Sequence, residues 1–176
     1  AFIGLHLTAH TWTGSGAGPT GIFFYLPNTS SNWLFEDMYI ERYQDNLIIQ
    51  HDEKFNNNRI TNVKIRRNIL SNPMRKDNHG NTNAYLQGID NLVEEENILS
   101  NFKSNDSLTN PAGTQLSHNF YNHETNGPVV VEKNIIYNGR TNVTVRTGSP
   151  NISYNVSIRG GQGLNITSEA PYSTNM

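Results

Sequence analysis

"NVKIRRNIL" (Asn62–Leu70) and "NLVEEENIL" (Asn91–Leu99) are the stretches whose reading decides the fold. The two nine-residue strings share their first residue and their last three, while the middle exchanges basic residues for acidic ones. A repeat that survives such an exchange is structural, and its charges are expected to point outward. The same unit recurs as "NWLFEDMYI" from Asn32, "PVVVEKNII" from Pro128 and "SPNISYNVS" from Ser149. The sixth residue after each start is Met38, Asn68, Asn97, Asn134 and Asn155, so asparagine holds the position in all but the earliest unit. Before it the apolar residues alternate by two, Val63 with Ile65 and Val129 with Val131, as in a strand with one buried face.

A second strand follows each unit: "NLIIQ", "AYLQG", "HNFYN", "NVTVRTG" and "GLNITS". Glu36 and Gln50, Glu132 and Arg146, and Ser153 and Thr167 all stand 14 positions apart. Longer spans separate Arg66 from Gln87 and Glu95 from Tyr121. The surplus falls in "SNPMRKDNHGNTN" and "SNFKSNDSLTNPAG", both polar and rich in turn residues. A minimal coil with loop insertions at one corner predicts an all-β, parallel β-helix of about six coils, in which stacking buries what one coil cannot. The repeated asparagine is expected to form a ladder, its amide bonding the coils above and below. The alternative is that asparagine simply suits a turn.

Composition narrows the function. The apolar fraction is 35%, below the roughly 45–50% of a typical globular domain. A formal net charge of −2 gives no support to nucleic-acid binding. No apolar run approaches the roughly 18 residues of a membrane span. Cysteine is absent, which excludes disulfides and thiolate chemistry. The chain opens "AFIGLHLTAH", already alternating like a strand and without Met. It is expected to be one β-helix domain over residues 1–176, incomplete at one or both ends.

The repeat resembles the coils of right-handed parallel β-helix proteins of the pectate-lyase-like superfamily. The resemblance runs from about Ile22 to Ile166 and is closest along "GTQLSHNFYNHETNGPVVVEKNIIYNGRTNVTVRTGSPNISYNVSIRGG". That superfamily holds polysaccharide lyases, hydrolases and epimerases together with non-enzymatic adhesins and phage tailspikes. It implies a right-handed coil and a polysaccharide partner, on an extracellular or virion surface. It does not choose between cleavage and binding.

Stacked coils bring outward residues into columns spaced about 4.8 Å apart. The first strands are expected to align Glu36, Arg66, Glu95, Glu132 and Ser153, and the second strands Gln50, Gln87, Tyr121, Arg146 and Thr167. Each column is either a polysaccharide-binding stripe or an ordinary solvated face. Gln50, Gln87, Arg66, Glu95 and Glu132 are the candidate substrate contacts. Glu95 over Glu132 is a like-charge pair that raises Ca2+ as a ligand, or a pair of catalytic carboxylates. Otherwise no cofactor or metal is expected. His6 and His10 share a strand face only loosely, and "GSGAGPTG" from Gly14 lacks the Lys-Ser/Thr of a phosphate loop.

The candidate catalytic group is His118, Tyr121, Arg146 and Arg159. In the lyases this fold hosts, a base takes the proton beside a uronate carboxylate while a cation neutralises that carboxylate, and His or Tyr suits the base. Strand alternation argues the other way for His118. If Leu116 and Phe120 face inward, His118 joins them as a core histidine bonded to backbone, unless a local bulge turns it out. Beyond the polysaccharide, the expected partners are the rest of the same protein or a homo-oligomer, covering the open coil ends.

Overall fold

The computed structural model describes residues 1–9, 18–26, 28–51, 59–73, 81–100, 117–147, 149–158 and 161–167. These build six coils of three strands each. The first coil holds β1 (Phe2–Ile3), β2 (His6–Thr8) and β3 (Thr20–Leu26). The second holds β4 (Ser30–Glu36), β5 (Tyr39–Glu41) and β6 (Asp45–His51). The third holds β7 (Ile60–Arg66), β8 (Ile69–Ser71) and β9 (Thr82–Gln87). The fourth holds β10 (Ile89–Glu95), β11 (Ile98–Ser100) and β12 (His118–Asn122). The fifth holds β13 (Val129–Glu132), β14 (Ile135–Tyr137) and β15 (Thr141–Val145). The sixth holds β16 (Pro150–Ser153), β17 (Val156–Ile158) and β18 (Gln162–Ile166).

Corresponding strands form three six-stranded sheets: a first of β1-β4-β7-β10-β13-β16, a second from β2 to β17 and a third from β3 to β18. All pairings between coils are parallel, as a parallel β-helix requires. The register of the first sheet follows the repeat, pairing Glu36 with Arg66, Arg66 with Glu95, Glu95 with Glu132 and Glu132 with Ser153.

Three apolar walls meet inside. Phe35, Ile65 and Val131 come from the first sheet, Ile40, Leu70, Leu99 and Ile136 from the second, and Leu47, Ala84, Phe120 and Val143 from the third. Each fully buried large side chain contributes roughly 1.5–3 kcal/mol. One of these inward places is polar. Glu94 pairs with Ile65 and Val131 and is fully buried. The expectation that every charge in "NLVEEENIL" faces outward is therefore wrong at this position. Alternation from the buried Leu92 carries Glu94 inward, while Glu95 and Glu96 reach the surface.

The corners explain the conserved spacing of the unit. Asp37, Arg67, Glu96, Lys133 and Tyr154 all adopt positive φ, between 52° and 58°. Gly4 holds the same place in the first coil. This left-handed residue turns the chain from the first sheet to the second and throws its own side chain into solvent. Either sign of charge is tolerated there, which is why the middle of the unit can swap.

The next residue is the ladder asparagine. Asn97 Oδ1 accepts both the backbone N–H and the side-chain N–H of Asn68, each at 3.0 Å. Asn134 serves Asn97 in the same way at 2.9 and 3.0 Å, and Asn155 serves Asn134. The other amide hydrogen of each goes to a main-chain carbonyl of the preceding coil, at Phe35, Ile65, Glu94 and Val131. Asn68, Asn97 and Asn134 thus place both side-chain hydrogens.

A second ladder, not anticipated from the sequence, runs where the second sheet meets the third. Asn46 donates to Asn83 at 2.7 Å, Asn83 to Asn119 at 2.6 Å and Asn119 to Asn142 at 3.0 Å. All four are fully buried.

Candidate functional site

The third sheet carries the candidate catalytic residues, and its register differs from the one expected. Tyr121 pairs with Tyr85, not with Gln87. Asn122 pairs with Leu86 and the N–H of His123 donates to the Leu86 carbonyl, so His123 stands beside Gln87. The core sets this register: Phe120 must lie over Ala84 and under Val143, with Asn119 in its ladder. Counting across insertions of unequal length cannot supply it. The outer face therefore has two adjacent columns. Phe23, Ile48, Tyr85, Tyr121 and Thr144 form one. Tyr25, Gln50, Gln87, His123 and Arg146 form the other.

Aromatic rings stack along the first column at Tyr85 and Tyr121 and across the two columns at Phe23 and Tyr25. Tyr85 and Tyr121 lie 5.4 Å apart and nearly parallel, and Phe23 and Tyr25 are 6.1 Å apart. The Tyr85 hydroxyl donates to Gln87 Oε1 at 2.8 Å. Arg146 sits in the neighbouring column to Tyr121, but its Nη1 reaches back and donates to the Tyr121 hydroxyl at 2.9 Å. The same nitrogen lies 3.1 Å from Glu124 Oε2. Glu124 Oε1 is 3.4 Å from His123 Nε2, and His123 Nδ1 is 3.1 Å from Thr125 Oγ1.

His118 is not the core histidine bonded to backbone that strand alternation suggests. It is only 5% exposed, yet its ring lies 4.9 Å from that of Tyr121, and its Nδ1 contacts the Thr144 hydroxyl at 2.9 Å. Asn119 and Phe120 both turn inward at the ladder corner. That breaks the alternation and sets His118 with the outer-face residues, bonded to a side chain rather than to backbone. Burial pushes its pKa down to about 4, which keeps the imidazole neutral at pH 7.

The structure thus brings His118, Tyr121 and Arg146 together and adds Glu124, Thr144 and Tyr85, which the sequence analysis does not single out. Glu124 lies within the string "SHNFYNHE", one residue past His123, and that proximity is its only sequence signal. Arg159 lies outside the described residues, as do His10 and the insertions at 74–80 and 101–116. The first part of "GSGAGPTG" also lies outside them.

Arg66, Glu95 and Glu132 occupy the first sheet, a different face from Gln50 and Gln87. Arg66 Nε binds Glu36 Oε1. Glu95 Oε1 is 3.0 Å from Lys64 Nζ and 4.0 Å from Arg66 Nη1, and Glu132 Oε1 is 3.1 Å from Lys133 Nζ. Lysine and arginine already answer the like-charge pair. Among the described residues no three His, Cys, Asp or Glu side chains converge on one point. His6 stacks on Tyr39 at 4.7 Å. Among the described residues no helix is long and apolar enough to cross a membrane.

Comparison of the chain with protein-family models, with curated proteins and with solved structures finds no match.

Proposed function

We propose that this chain is a carbohydrate-facing β-helix, related to the pectate-lyase-like superfamily, that holds a polysaccharide along its third sheet at an extracellular or virion surface. The observation that carries the reading is the pair of columns on that sheet. Stacked Tyr85 and Tyr121 lie beside Gln87, His123 and Arg146. Flat aromatic faces suit sugar rings, while amides and a planar guanidinium suit hydroxyls and carboxylates. A linear polymer laid along the coil axis would cross Tyr85 and Tyr121 in successive coils, with Gln50, Gln87, His123 and Arg146 beside them. Arg146 is shared with Glu124, and an acidic sugar would compete with that carboxylate for the guanidinium.

A second reading, a lyase, is favoured by the convergence of His118, Tyr121 and Arg146. The Tyr121 hydroxyl accepts a bond from Arg146, which fixes it beside the guanidinium. In that reading Arg146 neutralises the uronate carboxylate and Tyr121, as its phenolate, takes the proton on the adjacent carbon. The electron pair forms the C=C bond as the glycosidic C–O bond breaks, and the departing oxygen takes the proton from Tyr121. His118 positions Tyr121.

Affinity electrophoresis against alginate, pectate and glycosaminoglycans tests the first reading. Tyr85→Ala and Arg146→Ala are expected to weaken binding by about tenfold each at an unchanged melting temperature. No retardation by any polymer, or retardation indifferent to both variants, would remove the proposal. Ultraviolet absorbance of unsaturated products separates the two readings. A rise abolished by Tyr121→Phe assigns the lyase, and binding without a rise assigns a non-catalytic appendage or adhesin.

A further inference from the structure

The second sheet turns three columns outward or toward its corners, and the central one is apolar. Tyr39, Ile69, Ile98 and Ile135 stack in consecutive coils. The three isoleucines are 42, 38 and 43% exposed. The core does not need them, because Ile40, Leu70, Leu99 and Ile136 already fill the inward position of the same strands. A contiguous exposed apolar column marks a surface that meets something.

Beside it runs the left-handed corner column, Asp37, Arg67, Glu96 and Lys133, all exposed. Its charges alternate in sign along the axis. Within the chain Arg67 binds Asp37 and Glu36, and Lys133 binds Glu132. Arg67 and Asp37 nonetheless remain 43% and 48% exposed, so a second copy would share these charges. On the other flank stand Glu41, Ser71, Ser100 and Tyr137.

We propose that this face binds a second copy of the chain with the two coil axes antiparallel, about a two-fold axis lying along the strands between the third and fourth coils. That rotation keeps each column opposite itself and reverses its order. Asp37 then faces Lys133 of the second copy and Arg67 faces its Glu96. Symmetry repeats both contacts, giving four pairs of opposite sign. Ile69 faces Ile98 and Tyr39 faces Ile135, while Ser71 and Ser100 are buried and take no part. Glu41 meets Tyr137, so no like charges collide. A two-fold axis along the coils would instead set Asp37 against Glu41 of the second copy. An alternating column complements its own reverse, which is the requirement of an isologous contact. The same rotation sets His6 of the first coil opposite Val156 of the sixth, so the contact spans about 24 Å between the outermost residues of a single narrow sheet. The dimer therefore falls at the small, weak end of specific interfaces, with its charges setting register more than strength.

Sedimentation velocity over a concentration series of the 176-residue chain tests this. The expected result is a reversible dimer that salt weakens. Lys133→Glu should raise the dissociation constant about tenfold, and adding Asp37→Lys to the same chain should restore it. Within one chain these two residues sit about 14 Å apart, beyond the screening length at physiological salt, so the rescue must act between copies. Ile98→Ser should leave a monomer with an unchanged melting temperature. The chain has no cysteine, so orientation can be read by oxidative cross-linking. Ile135→Cys alone should stay uncoupled, because its two copies lie about 14 Å apart, too far for a disulfide. A mixture of Tyr39→Cys and Ile135→Cys chains should couple. A monomer at every concentration, efficient coupling of Ile135→Cys with itself, or a failed rescue by Asp37→Lys would each overturn the proposal.

Discussion

At Glu94 the repeat places a carboxyl where its neighbours along the axis, Ile65 and Val131, are apolar. Its Oε2 accepts one long bond of 3.3 Å from Asn122, and neither Glu94 Oε1 nor Asn122 Oδ1 has a partner. A proton on the carboxyl removes the buried charge and supplies the donor that these two acceptors lack. Burial accordingly raises the pKa of Glu94 from 4.5 to about 8. Between those values the native chain keeps a proton that the unfolded chain has lost, so stability falls as pH rises, by at most about 1.4 kcal/mol per pH unit. His118 acts in the opposite sense. Its pKa drops from 6.5 to about 4, so the unfolded chain holds the extra proton between those values and stability falls as pH drops. The two slopes oppose one another up to pH 6.5, and above it only Glu94 remains. Urea denaturation should therefore show the native chain weakening from pH 6.5 to 8, and Glu94→Gln should flatten that arm. A variant whose stability tracks the parent across this range would show that Glu94 is not held neutral.

The ladders act at the scale of the element, tying each corner to the next. Asn97→Ala would strand the backbone and amide N–H groups of Asn68, both buried. Each orphaned donor costs roughly 1–3 kcal/mol, so the variant should lose about 3 kcal/mol or more. Asn155→Ala removes the same bonds from Asn134 at a half-buried site, where water can replace them, and should cost less than half as much. Equal losses by chemical denaturation would count against the ladder. This first ladder is legible in the sequence because Asn68, Asn97, Asn134 and Asn155 lie at a fixed offset inside an uninterrupted unit. The second is not, because Asn83 and Asn119 follow insertions of different length and only their local setting, an asparagine opening each third strand, marks them. The same insertions hide the pairing of Tyr121 with Tyr85. His118, Tyr121 and Arg146 are close enough in the repeat to be gathered by counting. Glu124 and Thr144 enter the site through the reach of side chains between columns, which spacing does not encode.

At the scale of the molecule, each coil touches only the coils on either side of it, so stability should be distributed along the axis rather than shared evenly. The third and fourth coils are covered above and below, and Ile65, Leu70, Leu86, Leu92 and Leu99 are completely buried in them. Among the described residues the sixth coil has one neighbour, and its Ile158, Leu164 and Ile166 are about half exposed. Hydrogen exchange read by peptide should then be slowest over β7, β8, β10 and β11 and fastest over β17 and β18. Protection in the centre should approach that of global unfolding, while the last coil opens locally. The antiparallel contact adds a second gradient to this one. Raising the protein concentration should slow exchange further in β8 and β11, at the middle of the proposed interface, and leave β18 unchanged. Uniform protection from the second coil to the sixth would mean that the stack unfolds as one cooperative block. Concentration-dependent slowing centred on the third sheet would place the self-association surface there and overturn the proposed contact.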